Sequence, residues 1–153
     1  MGVRLLQTKF DIDLRPCEPA HIGFIYELMQ QNLRAYFDAT PERWSRQKFK
    51  EGFVPDRITL LEHLAMPIGY YDVEPLNGLY VHNIQLSHDY KGFDVGPAVV
   101  THLKSVAQNT GQSSVWGKVF YHNKAALRFF KSQGFAVVKD LPEQKSVILS
   151  VEV

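Results

Sequence analysis

No intrachain disulfide can form in this protein, because the sequence holds a single cysteine, Cys17. A lone thiol suits a reducing compartment, and the chain reads as cytoplasmic. An excess of charge of either sign is also missing: 17 Lys and Arg stand against 16 Asp and Glu, a net charge of +1. The basic residues are scattered rather than gathered into a block or stripe, so neither nucleic acid nor an anionic membrane is an expected partner. No apolar run approaches the roughly 20 residues of a membrane span. The stretch from Met1 to Leu6 lacks the apolar core of a signal peptide, and Leu6 stands where a myristoylation signal needs Ser or Thr. The six histidines, at 21, 63, 82, 88, 102 and 122, include no pair at metal-ligand spacing, so no metal is expected. Internal repeats, low-complexity tracts and Gly/Ser linkers are absent as well.

What remains is an ordinary folding sequence. Its 153 residues are 45% apolar and 22% charged, which suits one domain spanning residues 1–153 with a real core. Phe10-Asp11-Ile12-Asp13-Leu14 alternates with period two and predicts a strand. Pro19 then opens a helix that carries Ile22, Ile25, Met29, Leu33 and Tyr36 as one apolar stripe. Thr40-Pro41-Glu42 predicts a second helix start, running through Trp44 and Phe49 to about Glu51. Residues 57–61 and 68–73 read as a hairpin turned near Ala65-Met66-Pro67, and residues 79–86 as a further strand after the turn at Pro75-Leu76-Asn77-Gly78. Gly96-Pro97 introduces a helix ended by Gly111. Strand 114–120, helix 123–133, strand 135–139 and strand 147–151 complete an α/β order with a βαβ unit in its second half.

Two segments carry the chemistry. From Leu86 through Ser87 to Lys91-Gly92-Phe93-Asp94-Val95-Gly96-Pro97, a strand ends, a glycine-containing loop follows and a helix begins. Unpaired amides at a helix start and the helix dipole together make such a turn a candidate phosphate site. The second segment, Asn123 to Phe135, has the form N-x-x-A-x-x-F-F-x-x-x-G-F. Asn123 is a good N-cap, Ala126 leaves room beside the helix, and Gly134 suits a left-handed C-cap, with Phe129 and Phe135 as core aromatics.

Taken together, these segments and the element order resemble the GNAT family of N-acetyltransferases over most of the chain. The resemblance implies the GNAT-type fold, a mixed, mostly antiparallel central sheet flanked by about four helices. It also implies acetyl-CoA as cosubstrate and a small-molecule or peptide amine as acceptor, and it leaves a homodimer open. The family's pyrophosphate loop, R/Q-x-x-G-x-G/A, falls on Lys91, Gly92, Phe93, Asp94, Val95 and Gly96. Leu86 and Ser87 would offer backbone contacts to the pantetheine arm, with Asn123, Ala126 and Phe130 beside the cofactor.

This sequence departs from the family pattern at three positions. Asp94 replaces the middle glycine of the loop; aspartate tolerates left-handed backbone, but a carboxylate about 5 Å from a phosphate charge costs roughly 3 kcal/mol at an effective dielectric near 20. Pro97 brings no N–H to the first helical turn. Phe130 stands where family members often carry a tyrosine that protonates the departing thiolate, which leaves water or Tyr121 as the substitute acid. His82, on the strand before the loop, is the candidate general base; alternation would put it on one face with Ile84 and Leu86, and an imidazole titrates near neutral pH. Glu62 and Glu74 are weaker alternatives, and Tyr36, Trp44 and Tyr70 are candidates for an acceptor pocket. Two readings follow: an acetyl-CoA-dependent N-acetyltransferase working by direct attack of the amine, or a protein of the same fold that has lost cofactor binding and serves as an interaction module.

Overall fold

The apolar runs at Ile58–Leu61 and Ile68–Tyr71 are too continuous for a sheet with one wet face, and the structure buries these strands on both sides. The computed structural model describes residues 4–153, so the reading of the N-terminal stretch from Met1 lies partly outside it. Its strands are β1 (Arg4–Gln7), β2 (Asp11–Pro16), β3 (Ile58–His63), β4 (Met66–Pro75), β5 (Leu79–Leu86), β6 (Ser114–Phe120), β7 (Ala136–Leu141) and β8 (Ser146–Glu152). They form one sheet in the order β1-β2-β3-β4-β5-β6-β8-β7. Neighbours run antiparallel except β5 and β6, which are parallel.

Four helices cover the sheet: α1 (Ile22–Asp38), α2 (Arg46–Gly52), α3 (Val95–Asn109) and α4 (Lys124–Ser132). Because successive strand residues point to opposite faces, Leu60 and Tyr70 meet Ile25 and Leu28 of α1 and Phe49 and Phe53 beside them. Leu61 and Tyr71 point the other way, into the core formed with Val99, Val100 and Leu103 of α3 and Phe129 and Phe130 of α4. Among the described residues, no helix is long and apolar enough to cross a membrane.

Local chemistry explains where the elements differ from expectation. The linear pattern does not predict β1, a short edge strand beside β2 with little periodicity to reveal it. Pro19 starts a 3-10 turn, Pro19–His21, that feeds into α1. Thr40 does not cap α2. Its hydroxyl donates to Phe37 O at 2.7 Å and accepts from Glu42 N at 3.3 Å, so it closes the end of α1 instead. The α2 cap is Ser45, whose Oγ accepts from Lys48 N. Between the helices, the Trp44 amide donates to Asp38 Oδ1 at 2.8 Å and holds that carboxyl below its ordinary range.

The β3–β4 hairpin turns at Leu64-Ala65, one residue earlier than the sequence suggests, with φ of 52° and 65°. Two successive left-handed residues form the turn that matches strand twist, and it favours Asn-Gly. Leu64→Asn with Ala65→Gly is therefore expected to raise stability by about 1 kcal/mol, read as a higher urea midpoint at unchanged slope.

Candidate active site

β5 and β6 pair at only three positions: Leu79 with Val115, Tyr80 with Trp116, and Val81 with Gly117. Beyond them β5 runs on to Leu86 and β6 to Phe120 with no register between them. The cause lies on the other side of β5. There Asp72 faces Asn83 while the next residue, Val73, faces Val81, so His82 is an extra, bulged residue. A bulge sharpens local twist and bends its strand, here away from β6. At the last pairing the strands lie so close that a Cβ on Gly117 would sit 3.0 Å from Val81 O. Glycine lets the two strands approach this closely at that crotch. Past it opens a cleft of about 630 Å³ between the two strands, roofed by Tyr36 and Phe37 of α1 and closed at one end by the start of α3.

The bulge also corrects the expected facing of His82. Simple alternation would group it with Ile84 and Leu86, but the extra residue reverses parity, and Val81 and Ile84 pack into the same core. His82 instead lies with Tyr80, ring centroids 4.5 Å apart, and Glu74, whose Oε1 is 2.9 Å from His82 Nε2. A carboxylate accepts, so Nε2–H is the donor of this pair and Nδ1 is left out of it. His82 is 26% exposed and lines the cleft. The hydrogen bond from His82 holds the Glu74 carboxyl below its ordinary range, aided by the Arg57 guanidinium. Arg57 in turn binds Asp72 through two hydrogen bonds of 2.9 and 3.1 Å and stands 3.9 Å from Glu74. Glu62 plays no part in this group; it is buried and paired with Arg15 at 2.8 Å.

Along β5, the Ser87 amide donates to Ile68 O at 2.7 Å. Ser87 is thus held by β4 and does not offer its N–H to the cleft, contrary to expectation. Because N–H groups alternate sides along a strand, those of Leu86 and Ile84 turn toward the gap. Leu86 O accepts from Asn32 Nδ2 at 3.2 Å, and the same amide group donates to Gln85 Oε1 at 2.9 Å.

At the end of the cleft, Lys91, Gly92, Asp94, Gly96 and Pro97 line its wall. Asp94 is exposed and left-handed, with φ of 64°, so the turn survives the loss of glycine. Among the described residues, the amides of Gly92, Phe93, Val95 and Gly96 donate to no protein group. Gly96 is matched to α4: a Cβ there would meet the Phe129 ring at 3.2 Å. At two loop positions the side chain does not line the cleft. Val95 is wholly buried in the core, and the Phe93 ring turns away to pack on Phe10 at 5.5 Å. Only their backbones remain near the loop.

Across the cleft stand Asn123, Ala126 and Phe130. Asn123 caps α4 as expected, its Oδ1 accepting from Ala126 N at 3.3 Å, and Gly134 follows the helix at φ of 94°. Phe130 is fixed edge-on between Phe129 and Phe135. Tyr121 is not among the cleft-lining residues. Its hydroxyl donates to Asp140 on β7, and that bond raises the phenol above its ordinary value. The structure therefore does not bring Tyr121 to the cleft wall with the other candidates of the sequence reading.

Several cleft residues escape sequence reasoning. Gly117 has a legible signal, a glycine inside a strand pattern. Asn83 and Gln85, joined by a 3.1 Å hydrogen bond, break the apolar run of β5. Asn32 has no signal, because only the tertiary fold sets it against β5.

Residues 24–135 match the acetyltransferase (GNAT) family. An acetyltransferase from Thermus thermophilus superposes with a TM-score of 0.73 at 19% identity, covering 98% of this chain and 100% of that one. The paia N-acetyltransferase from Thermoplasma acidophilum, solved in complex with coenzyme A, gives 0.73 at 12% identity over 93% and 99%. The ribosomal-protein-S18-alanine N-acetyltransferase from Escherichia coli gives 0.68 at 18% identity over 93% and 94%. With a cleft formed where β5 parts from β6, and with the family's pattern running from α1 to the start of β7, this chain belongs to the GNAT acetyltransferase family.

Proposed function

We propose that the protein is an N-acetyltransferase that takes acetyl-CoA as cosubstrate and passes the acetyl group directly to an amine. The observation that carries this reading is the parting of β5 and β6 toward a loop whose amides have no protein partner. Such a row of amides at a helix start suits a pyrophosphate, and Lys91 adds a cation at the cleft wall. The gap-facing N–H groups of Ile84 and Leu86 suit the amide-bearing pantetheine arm, which can pair with a strand edge. The solved relative from Thermoplasma acidophilum, with its coenzyme A, favours the same ligand.

In the proposed reaction the neutral amine nitrogen attacks the thioester carbonyl; the C–N bond forms and the C–S bond breaks. His82 Nδ1 accepts the amine proton, directly or through one water, while Glu74 steadies the resulting imidazolium through Nε2–H. A gap-facing amide beside the His82 bulge hydrogen-bonds the carbonyl oxygen as negative charge develops on it. Water protonates the departing thiolate. Phe130 has no hydroxyl to do so, and the proton of Tyr121 is held by Asp140.

Calorimetric titration with acetyl-CoA tests the reading. Saturable binding competed by CoA is expected; no binding at millimolar ligand would leave the interaction-module alternative in its place. Asp94 is exposed, so solvent screens its carboxylate. Asp94→Gly is accordingly expected to tighten acetyl-CoA binding by about threefold to tenfold, with the gain shrinking at high salt.

A further inference from the structure

The bulge in β5 re-aims two successive side chains. Val81 and Ile84 pack into the core with α3, so His82 and Asn83 between them both turn to the face that α1 covers. Both line the cleft and also a second cavity, of about 360 Å³, that adjoins it. That volume lies near the low end of small-molecule sites, about 300–1,000 Å³. Phe37, Trp44, Phe49 and Phe53 supply much of its wall, and the Trp44 indole N–H is already donated to Tyr26 and Gln30. Among the charged groups of the wall, Arg57 and Asp72 bind each other, which leaves the exposed cations Arg43 and Lys48 against Glu42.

A chain of side-chain amides decides which atom Asn83 shows to these spaces. The carbonyl oxygen of Leu86 can only accept, so it draws the Asn32 nitrogen toward β5. That nitrogen gives its other hydrogen to Gln85 Oε1 at 2.9 Å. Gln85 then directs its Nε2 the opposite way, to Asn83 Oδ1 at 3.1 Å. With its oxygen so engaged, Asn83 is left with Nδ2, which donates to no protein group among the described residues. The Tyr70 hydroxyl also has no partner, but it is sealed and reaches nothing in the cavity. Asn83 is half-buried and its Nδ2 is not sealed. Since Asn83 lies mid-strand beneath α1, that accessible surface belongs to the two spaces it lines.

Resting on the acetyltransferase reading above, we propose that the acceptor is an α-amino acid with a large, uncharged side chain, recognised through its carboxylate by Asn83 Nδ2–H. An α-amino acid carries nitrogen and carboxylate on one carbon, and the bulge sets the matching groups, His82 and Asn83, on adjacent residues. The side chain enters the second cavity against Trp44 and Phe49. Cations in excess at the wall favour an anionic guest over a polyamine. The nitrogen gives up a proton as its bond to the acetyl carbon forms, and the products are the N-acetyl amino acid and CoA thiol.

The test is steady-state kinetics with acetyl-CoA and four amines, L-phenylalanine, L-phenylalaninamide, phenethylamine and spermidine, on the natural protein and on Asn83→Asp. Acetyl-CoA affinity and melting temperature are measured on both. In the natural protein, L-phenylalanine is expected to exceed phenethylamine and spermidine at least tenfold in kcat/KM, and its own amide at least threefold. Asn83→Asp can still accept from Gln85, but it presents a charged acceptor where the natural residue presents a donor. The ratio of kcat/KM for L-phenylalanine to that for phenethylamine should therefore fall at least tenfold. The new charge beside His82 acts on both amines, so the ratio isolates the contact with the carboxylate. Acetyl-CoA affinity should stay within about twofold. A ratio that is unchanged in Asn83→Asp would overturn the proposal, as would natural protein that acetylates phenethylamine, spermidine or the amide as well as the amino acid. Acetyl-CoA binding with no amino acid acetylated would sink the acceptor assignment and spare the acetyltransferase reading. Failure to bind acetyl-CoA would sink both.

Discussion

Arg57→Ala is expected to destabilise the protein by about 2–4 kcal/mol, the largest loss of stability for a single change near the site. Asp72 is 5% exposed and sits inside the sheet on β4, where it accepts two hydrogen bonds from the guanidinium. Without Arg57 its carboxylate would be buried and unpaired. Breaking such a pair generally costs more than the pair itself contributes, because one charge is stranded in a medium of low dielectric. The range is set below that of a fully buried pair because Arg57 retains a 21% exposed side chain. Equilibrium urea unfolding measures the effect. The double variant Arg57→Ala with Asp72→Asn should recover part of the loss, since the stranded charge is gone. If the double variant is as unstable as the sum of both single changes, the ion pair is not the cause. The same substitution removes the cation beside Glu74, so activity should fall even at temperatures where the variant is folded.

His82→Ala is expected to lower kcat by about a hundredfold to a thousandfold while acetyl-CoA affinity stays within about twofold. The two effects separate because the side chain faces Glu74 and Tyr80, whereas the unpartnered amides that suit the cofactor lie on the loop after β5. A positioned base contributes in the transition state and little to ground-state binding. Glu74→Gln should lower kcat less than His82→Ala, because glutamine can still accept from Nε2–H but cannot balance an imidazolium. A pH–rate profile distinguishes a base from a merely structural residue. An acid limb in the profile of the natural protein that vanishes in His82→Ala would mark His82 as the base; a limb that persists unchanged would assign the proton transfer to another group.

Much of the fold can be read residue by residue. The apolar stripe from Ile22 to Tyr36, the N-cap at Asn123, the left-handed Gly134 and the alternation in β2 all depend on contacts within a turn or two of chain. Local sterics and capping chemistry decide such features, so a linear pattern suffices. The linear pattern misplaces the α2 start for a reason of the same scale: Thr40 and Ser45 can both cap, and the Phe37 carbonyl that Thr40 closes makes the choice.

The site is legible only in part. Lys91, Gly92, Asp94 and Gly96 line the cleft together with Asn123, Ala126 and Phe130, and the left-handed backbone of Asp94 follows from what aspartate tolerates. The sequence by itself determined the family, the order of strands and helices from β2 onward, and the loop and helix that face the cleft. Only the tertiary structure decided the bulge at His82, the parting of β5 from β6, the ring of charges from Asp72 to His82, and the unpaired hydroxyl of Tyr70. Each of these depends on which residue of one strand lies opposite which residue of another. A shift of one residue in register exchanges the two faces of a sheet, and nothing in the linear order of residues 66–86 announces where that shift occurs.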